Sequence, residues 1–271
     1  MGVVNVTPDS FSDGGRWLDP GAAVAHGLEL VAAGADLLDV GGESTRPGAS
    51  AVDAAEERAR IEPVIARLVA EAGVPVSVDT AKRVVAAAAL DSGAVIVNDV
   101  SAGRFDPALL PLVAERGAGI VLMHMLGEPR TMQDDPRYDD VVREVGDFLV
   151  ERADAARAAG VADAAIALDP GIGFGKTTEH NLDLLAHLDT LVERVGLPVV
   201  VGTSRKRFIG RVLSDVGGET GEPPADRRDD GTLGTVVWAA ECGARVVRVH
   251  DAHAAARAVD LLDLLETVEA A

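Results

Sequence analysis

Short apolar runs alternate with longer helix-compatible runs along the whole chain. After an opening apolar run at 1–4, a loop covers 5–18 and a helical pattern follows at 20–33. Pro20 suits its first turn and Gly34 its exit. Further strand-like runs fall at 36–40, 75–78, 95–97, 120–123, 165–168, 198–201 and 245–249. Helical patterns separate them at 52–72, 80–92, 107–116, 139–159 and 180–195. Two pieces follow at 206–213 and 232–242, and 252–269 closes the chain. The eight strands are nearly unbroken in apolar residues, as buried parallel strands are when helices cover one face and packed side chains the other. An open doubly wound sheet shares the alternation, but eight repeats without a dividing linker favour closure. The expectation is an α/β fold, one (β/α)8 TIM barrel over 1–271. Four residues make a short first strand, so either an abbreviated strand or a longer N-terminal segment over the barrel floor is expected.

A length of 271 residues suits one such barrel, and the formal net charge of −19 changes what it is expected to bind. The chain repels polyanions, which argues against nucleic acid as a partner. An anionic substrate therefore needs a local cluster of cations or backbone N–H groups. The lone Cys242 rules out an intramolecular disulfide framework and reads as a buried structural thiol. There is no apolar run long enough to span a membrane and no basic-then-apolar leader before the first motif, so a cytoplasmic protein without a membrane partner is the default expectation.

In a barrel all strand C-termini open on one face. The residues at those ends are Asn5, Asp39, Asp79, Asn98, His124, Asp169, Gly202 with Ser204, and Arg248 with His250. A polar residue at nearly every end predicts a polar pocket at the mouth. Carboxylates such as Asp79 and Asp169 accept from adjacent N–H and NH2 groups of a heterocycle, and the Asn98 amide offers a donor beside an acceptor. Taken singly, Asp79 also reads as the cap of a helix beginning near Thr80, Asn98 as a turn residue and Asp169 as an Asx-type turn before Pro170-Gly171. Arg248 and His250 share a strand face and, with Lys206, offer positive charge to phosphate oxygens, a frequent task of the last two strand ends. Glycine- and serine-rich loops at 5–15 and 41–48, carrying Phe11, Asp13, Thr45 and Arg46, have the mixed character of a closing lid. The run 171–176 lacks the spacing of a phosphate-binding loop, and Phe174 reads as a wall for a flat ring. His124 alone reads as a satisfied histidine rather than a metal ligand. Asn5 could meet Mg2+ already bound to a diphosphate.

With these residues in view, the sequence resembles the dihydropteroate synthases. The resemblance rests on Asn5-Val6-Thr7-Pro8-Asp9-Ser10-Phe11-Ser12-Asp13-Gly14-Gly15, on Gly41-Gly42-Glu43-Ser44-Thr45-Arg46-Pro47-Gly48 and on Val78-Asp79-Thr80. It continues through Val97-Asn98-Asp99, Met123-His124-Met125, Asp169-Pro170-Gly171-Ile172-Gly173-Phe174, Gly202-Thr203-Ser204-Arg205-Lys206-Arg207 and Arg248-Val249-His250. It implies that Asp79, Asn98, Asp169 and Lys206 hold a pterin ring, with Phe174 nearby and Gly202 giving room. It implies that Asn5, Arg248 and His250 hold a diphosphate and its Mg2+. Phe11, Asp13, Thr45 and Arg46 would form the lid, and Pro47, Lys206 and Arg207 would border a p-aminobenzoate site. Asp79, Asp169, Lys206, Arg248 and His250 would carry the catalysis. The implied reaction joins 6-hydroxymethyl-7,8-dihydropterin diphosphate to p-aminobenzoate, in a homodimer inhibited by sulfonamides. A tetrahydrofolate-binding methyltransferase domain would keep the pterin-side residues but has little use for the lid motifs and diphosphate set. A catalytically silent pterin-binding paralogue is the other alternative.

Overall fold

The computed structural model describes residues 1–7, 19–45, 49, 51–217 and 221–269. Within them β1 (Gly2–Asn5), β2 (Leu38–Gly41), β3 (Val76–Asp79), β4 (Ile96–Asp99), β5 (Gly119–Met123) and β6 (Ile166–Asp169) form a continuous parallel sheet in chain order. β7 (Val200–Val201) and β8 (Val246–Val247) form a second parallel pair. Parallel bridges from Leu168 to Val199 and from Gly2 to Val249 join the two arcs into a ring. Val3 N–H donates to Val249 O (3.1 Å) and Val249 N–H to Met1 O (3.0 Å), so the four-residue first strand pairs on the side away from β2 as well.

The helices follow as expected: α1 (Pro20–Ala32), α2 (Ala54–Glu71), α3 (Arg83–Asp91), α4 (Leu109–Arg116) and α5 (Val141–Ala158), then α6 (Thr178–Ala186), α7 (Leu188–Val195), α8 (Arg207–Gly217), α9 (Asp229–Glu241) and α10 (Ala252–Glu269). Four of the starts have a local cause in a capping side chain. Asp19, Asp53 and Asp140 accept from N–H groups of the first turns of α1, α2 and α5. Thr177 and His180 make a reciprocal capping box on α6. Val64, Ile65 and Leu68 of α2 and Leu149 of α5 are buried against Val40, Val78 and Leu122 of the strands, so the main core lies between sheet and helices.

Two departures from the sequence pattern stand out. The continuous helix expected over 180–195 is broken at His187, where the Trp238 indole of α9 donates to Leu185 O (2.6 Å). The helix expected from Thr80 begins at Arg83, with Lys82 in the capping position, so Asp79 does not cap it. β1, β2, β3 and β6 run one residue further than their apolar stretches, and β4 two. Register places Asn5, Gly41, Asp79 and Asn98 in one row across β1 to β4, with Val3, Asp39 and Ser77 in the row beneath. Polar side chains are therefore part of the ladder at the mouth.

Candidate active site

The floor of the mouth is a buried ionic network. Asp39 is fully enclosed. Its Oδ2 accepts from Arg248 Nε (2.7 Å) and Asn98 Nδ2 (3.0 Å), and its Oδ1 from the Ser77 hydroxyl. Arg248 Nη2 reaches on to Asp79 Oδ2 (3.1 Å). Two nitrogens of the guanidinium fork are thus committed to carboxylates on β2 and β3, a geometry suited to Arg and not to Lys. Burial pushes Asp79 up to about 7, against the pull of Arg248.

On the opposite wall, Asp169 ends β6 and its Oδ1 accepts from Gly171 N–H (2.7 Å), so the Asx turn read from the sequence is present. Burial raises Asp169, and the nearby Lys206 opposes it. Gly171 has φ +65, and a Cβ there would lie 1.8 Å from His124 O, so only glycine lets this loop fold under β5. The Lys206 ammonium donates to Ile172 O and sits 4.7 Å from the centroid of the Phe174 ring. Burial pushes Lys206 down to about 8 while Asp169 pulls it back up. Arg205 holds a left-handed φ of +59 under a bidentate pair with Asp229 (2.8 and 2.9 Å), and the turn so fixed carries Lys206 into the mouth.

Gly202 separates Lys206 from Arg248. A Cβ there would stand 3.9 Å from Lys206 Nζ and 3.7 Å from Arg248 Cβ, within a gap between the two cations. His250 N–H donates to Ser204 Oγ (3.1 Å), and its Nδ1 lies 2.9 Å from the same oxygen. Asn5 Oδ1 and Asp79 Oδ2 flank the space above Gly41, 3.8 and 3.7 Å from where its Cβ would be. A cavity of about 670 Å³ opens above Asp79, walled by Thr45, Ala49, Thr80, Val100 and Phe105 among others.

The structure therefore brings together Asn5, Asp79, Asn98, Asp169, Phe174, Gly202, Lys206 and Arg248, with His250 beside Ser204 at the end of β8. Thr45 lines the cavity. Arg207 instead points along α8, largely exposed, its Nε 2.8 Å from Glu222. Phe11, Asp13, Arg46 and Pro47 lie outside the described residues. Two site residues had no role assigned from sequence. Asp39 lies within β2, two residues before its end, and its meaning depends on Arg248, 209 positions away. Lys176 is buried, with Nζ 2.8 Å from His124 Nδ1, 3.0 Å from Gly171 O and 3.1 Å from Phe174 O, so it ties down the loop that carries Phe174. Burial, with Lys176 alongside, pushes His124 down to about 2, leaving a neutral imidazole. His124 is the satisfied histidine its isolation suggested.

Fold and mouth together define a barrel enzyme with its chemistry at the C-terminal ends of the strands. A family model described as pterin binding enzyme matches residues 1–250. Dihydropteroate synthase of Mycobacterium leprae (strain TN) is 51% identical over 263 residues, 97% of this chain and 91% of that protein. Among solved structures, Yersinia pestis dihydropteroate synthase with a sulfonamide drug complex superposes with a TM-score of 0.92 at 40% identity, covering 98% of this chain and 94% of that one. Xanthomonas albilineans dihydropteroate synthase with 4-aminobenzoic acid gives 0.87 at 50% identity, covering 100% and 93%. The chain belongs to the pterin binding enzyme family, in its dihydropteroate synthase branch, whose members are transferases of folate synthesis.

Proposed function

We propose that this protein joins 6-hydroxymethyl-7,8-dihydropterin diphosphate to p-aminobenzoate, releasing pyrophosphate and 7,8-dihydropteroate. The observation that carries the reading is the pair of opposed walls: Asp79 and Asn98 on one side, Asp169 and Lys206 on the other, with Gly202 leaving the space between Lys206 and Arg248 clear. A flat heterocycle with adjacent N–H donors and ring acceptors matches the hydrogen-bonding capacity these groups keep beyond their bonds within the protein. Phe174 offers a ring face, and Lys206 a cation 4.7 Å from its centroid.

In the reaction, the arylamine nitrogen attacks the exocyclic methylene carbon. The C–O bond to the diphosphate breaks and its electron pair leaves with pyrophosphate, while the new ammonium gives its proton to water. Asp79 and Asp169 stabilise positive charge growing on the pterin, and Arg248 and His250 negative charge growing on the leaving group. The amine is already a usable nucleophile, so no Ser/His/Asp triad is required. Among the described residues no group of three His, Cys, Asp or Glu could hold a metal by itself. The Asn5 oxygen beside Asp79 suits Mg2+ that arrives chelated by the diphosphate and keeps most of its water. When bound, that ion would neutralise charge on the leaving group.

The test is pyrophosphate release with both substrates and Mg2+, with each component omitted in turn. Release only in the complete mixture is expected, with competition between p-aminobenzoate and a sulfonamide bearing the aniline group. A folded enzyme that releases none would overturn the reading. Gly202→Ala gives a sharper probe. The added methyl meets no protein atom closer than 3.7 Å. The melting temperature should therefore hold, while calorimetric affinity for free pterin falls. An intrusion into packed space costs about 1–3 kcal/mol, or about 5- to 150-fold in binding.

No described helix is long and apolar enough to cross a membrane, and we place the protein in the cytoplasm. The proposed homodimer is supported by Trp238 on α9 and Leu261, Leu264 and Leu265 on α10, apolar side chains about half exposed on helices that pack together. Such a face suits a second copy of the chain.

A further inference from the structure

The crossover from β2 to α2 is fastened by an ionic cluster that the mechanism does not use. Lys82 Nζ donates to Glu43 Oε2 (2.8 Å), to Glu57 Oε2 (2.6 Å) and to Val52 O (2.6 Å). Glu43 lies on the outgoing stem of the crossover, Val52 on the returning stem and Glu57 on the first turn of α2. The stems are also tied directly, since Val52 N–H donates to Glu43 Oε1 (2.9 Å). Arg60 of α2 donates to Gly42 O (2.7 Å). Gly42 itself packs against the helix so closely that a Cβ would come within 2.7 Å of Ile61 and 3.1 Å of the Glu57 side chain. Thr45, Ala49 and Ala51 of this crossover form a wall of the cavity that opens on Asp79.

We infer that Lys82, clamped between Glu43 and Glu57, is a positioning residue that sets the β2–α2 wall for the incoming arylamine. The inference rests on the synthase reading above. Lys82 also borders the cavity, but all three N–H bonds of its ammonium already end on protein oxygens, so it is not the group that grips a substrate carboxylate. Stability is a poor explanation for the cluster. Glu57 is completely buried and its Oε1 has no hydrogen-bond partner, the one such side-chain atom among the described residues. A buried ion pair with an unsatisfied oxygen is generally no more stabilising than an apolar pair of similar size, and its best-attested use is to fix register. Here it fixes the stems of a crossover whose wall must meet the second substrate. An amine displaced by about 1 Å from its line of approach can lose about 10²-fold in rate.

The experiment uses the full-length enzyme and two variants. Lys82→Met removes the clamp and strands Glu57. Lys82→Met/Glu57→Leu removes the clamp and replaces the stranded carboxylate by an apolar side chain. Loss of the clamp should raise KM for p-aminobenzoate about tenfold or more, while KM for the pterin diphosphate stays within about twofold, because only one substrate's contacts are disturbed. The double variant should regain the melting temperature lost by the single one and keep the raised KM. A double variant with wild-type KM for p-aminobenzoate would reduce the cluster to a folding role, as would both KM values rising together. Absence of turnover in the wild-type enzyme would be a different result, since it removes the synthase reading and not the clamp alone.

Discussion

An Arg248→Ala enzyme is expected to lose much of its folding margin together with its turnover. The guanidinium bridges Asp39 and Asp79, and nothing of Asp39 reaches solvent. Removing one partner of a buried ion pair costs about 3–5 kcal/mol, because the remaining charge is left in a medium that cannot solvate it. For a chain of this size each kcal/mol lowers the melting temperature by about 2–4 °C, so a fall of about 6–20 °C should appear in a thermal unfolding scan. Arg248→Lys keeps the charge but not the fork, and should restore part of the stability with little of the activity. The same residue was expected from sequence to serve the diphosphate. The network adds a second duty, for two of its nitrogens already hold the carboxylate floor. Free pterin binding should therefore weaken along with use of the diphosphate substrate, and a variant that melts like the wild type would contradict the arrangement.

Asp79→Asn should have the largest effect on the ring itself. The substitution keeps the shape of the side chain but replaces a two-oxygen acceptor by one oxygen and a donor. Two charge-assisted hydrogen bonds at about 1.5–3 kcal/mol each correspond to about 10²- to 10⁴-fold in affinity for free pterin. The pH dependence follows from burial. Asp79 has its folded value raised to about 7, against 3.8 for the ordinary group. Below about 7 the folded protein keeps the proton, and above it the ionised acceptor is present. Calorimetric affinity of the wild type should therefore climb from pH of about 6 to about 7, below the value to which Lys206 is pushed, and the Asn variant should lack that rise. Stability runs the other way. A carboxyl whose folded value lies above its unfolded value favours the folded state fully below the unfolded value and loses that contribution as pH rises through about 7. The melting temperature of the wild type should thus decline from mildly acid to neutral pH more than that of the variant. A wild-type binding profile without slope would remove Asp79 from the ring.

Much of the barrel could be read from the chain because its cause is local. A short apolar run followed by a polar residue and then an amphipathic run is what a buried strand, a mouth and a covering helix each require, and the pattern recurs eight times. Asp79, Asn98 and Asp169 could be placed at the mouth for the same reason, as they stand where the strands give out, with Lys206 in the turn after β7. What sequence could not supply depends on distant partners. Asp39 carries the same local signature as Asp79, yet its role is defined by Arg248 and Asn98 arriving from β8 and β4. Lys176 ends a glycine-rich run that lacks the spacing of a phosphate-binding loop, and its ammonium is occupied by His124 and two carbonyls of that same run. The break between α6 and α7 has no Gly or Pro to announce it, and the indole that bonds to Leu185 O beside it comes from another helix. Asp79 read as a helix cap only while α3 was thought to start at Thr80.

The way the ring closes bears on the ligand. Six strands hydrogen-bond as one continuous arc, and the remaining two join it through a bridge at each side. Asp79, Asn98 and Asp169 ride on the large arc, whereas Lys206 and Arg248 follow the small one. A molecule gripped by both sets of side chains is in effect a rivet across the joints, so amides of β7 and β8 should be those whose exchange with solvent slows most when the mouth is filled.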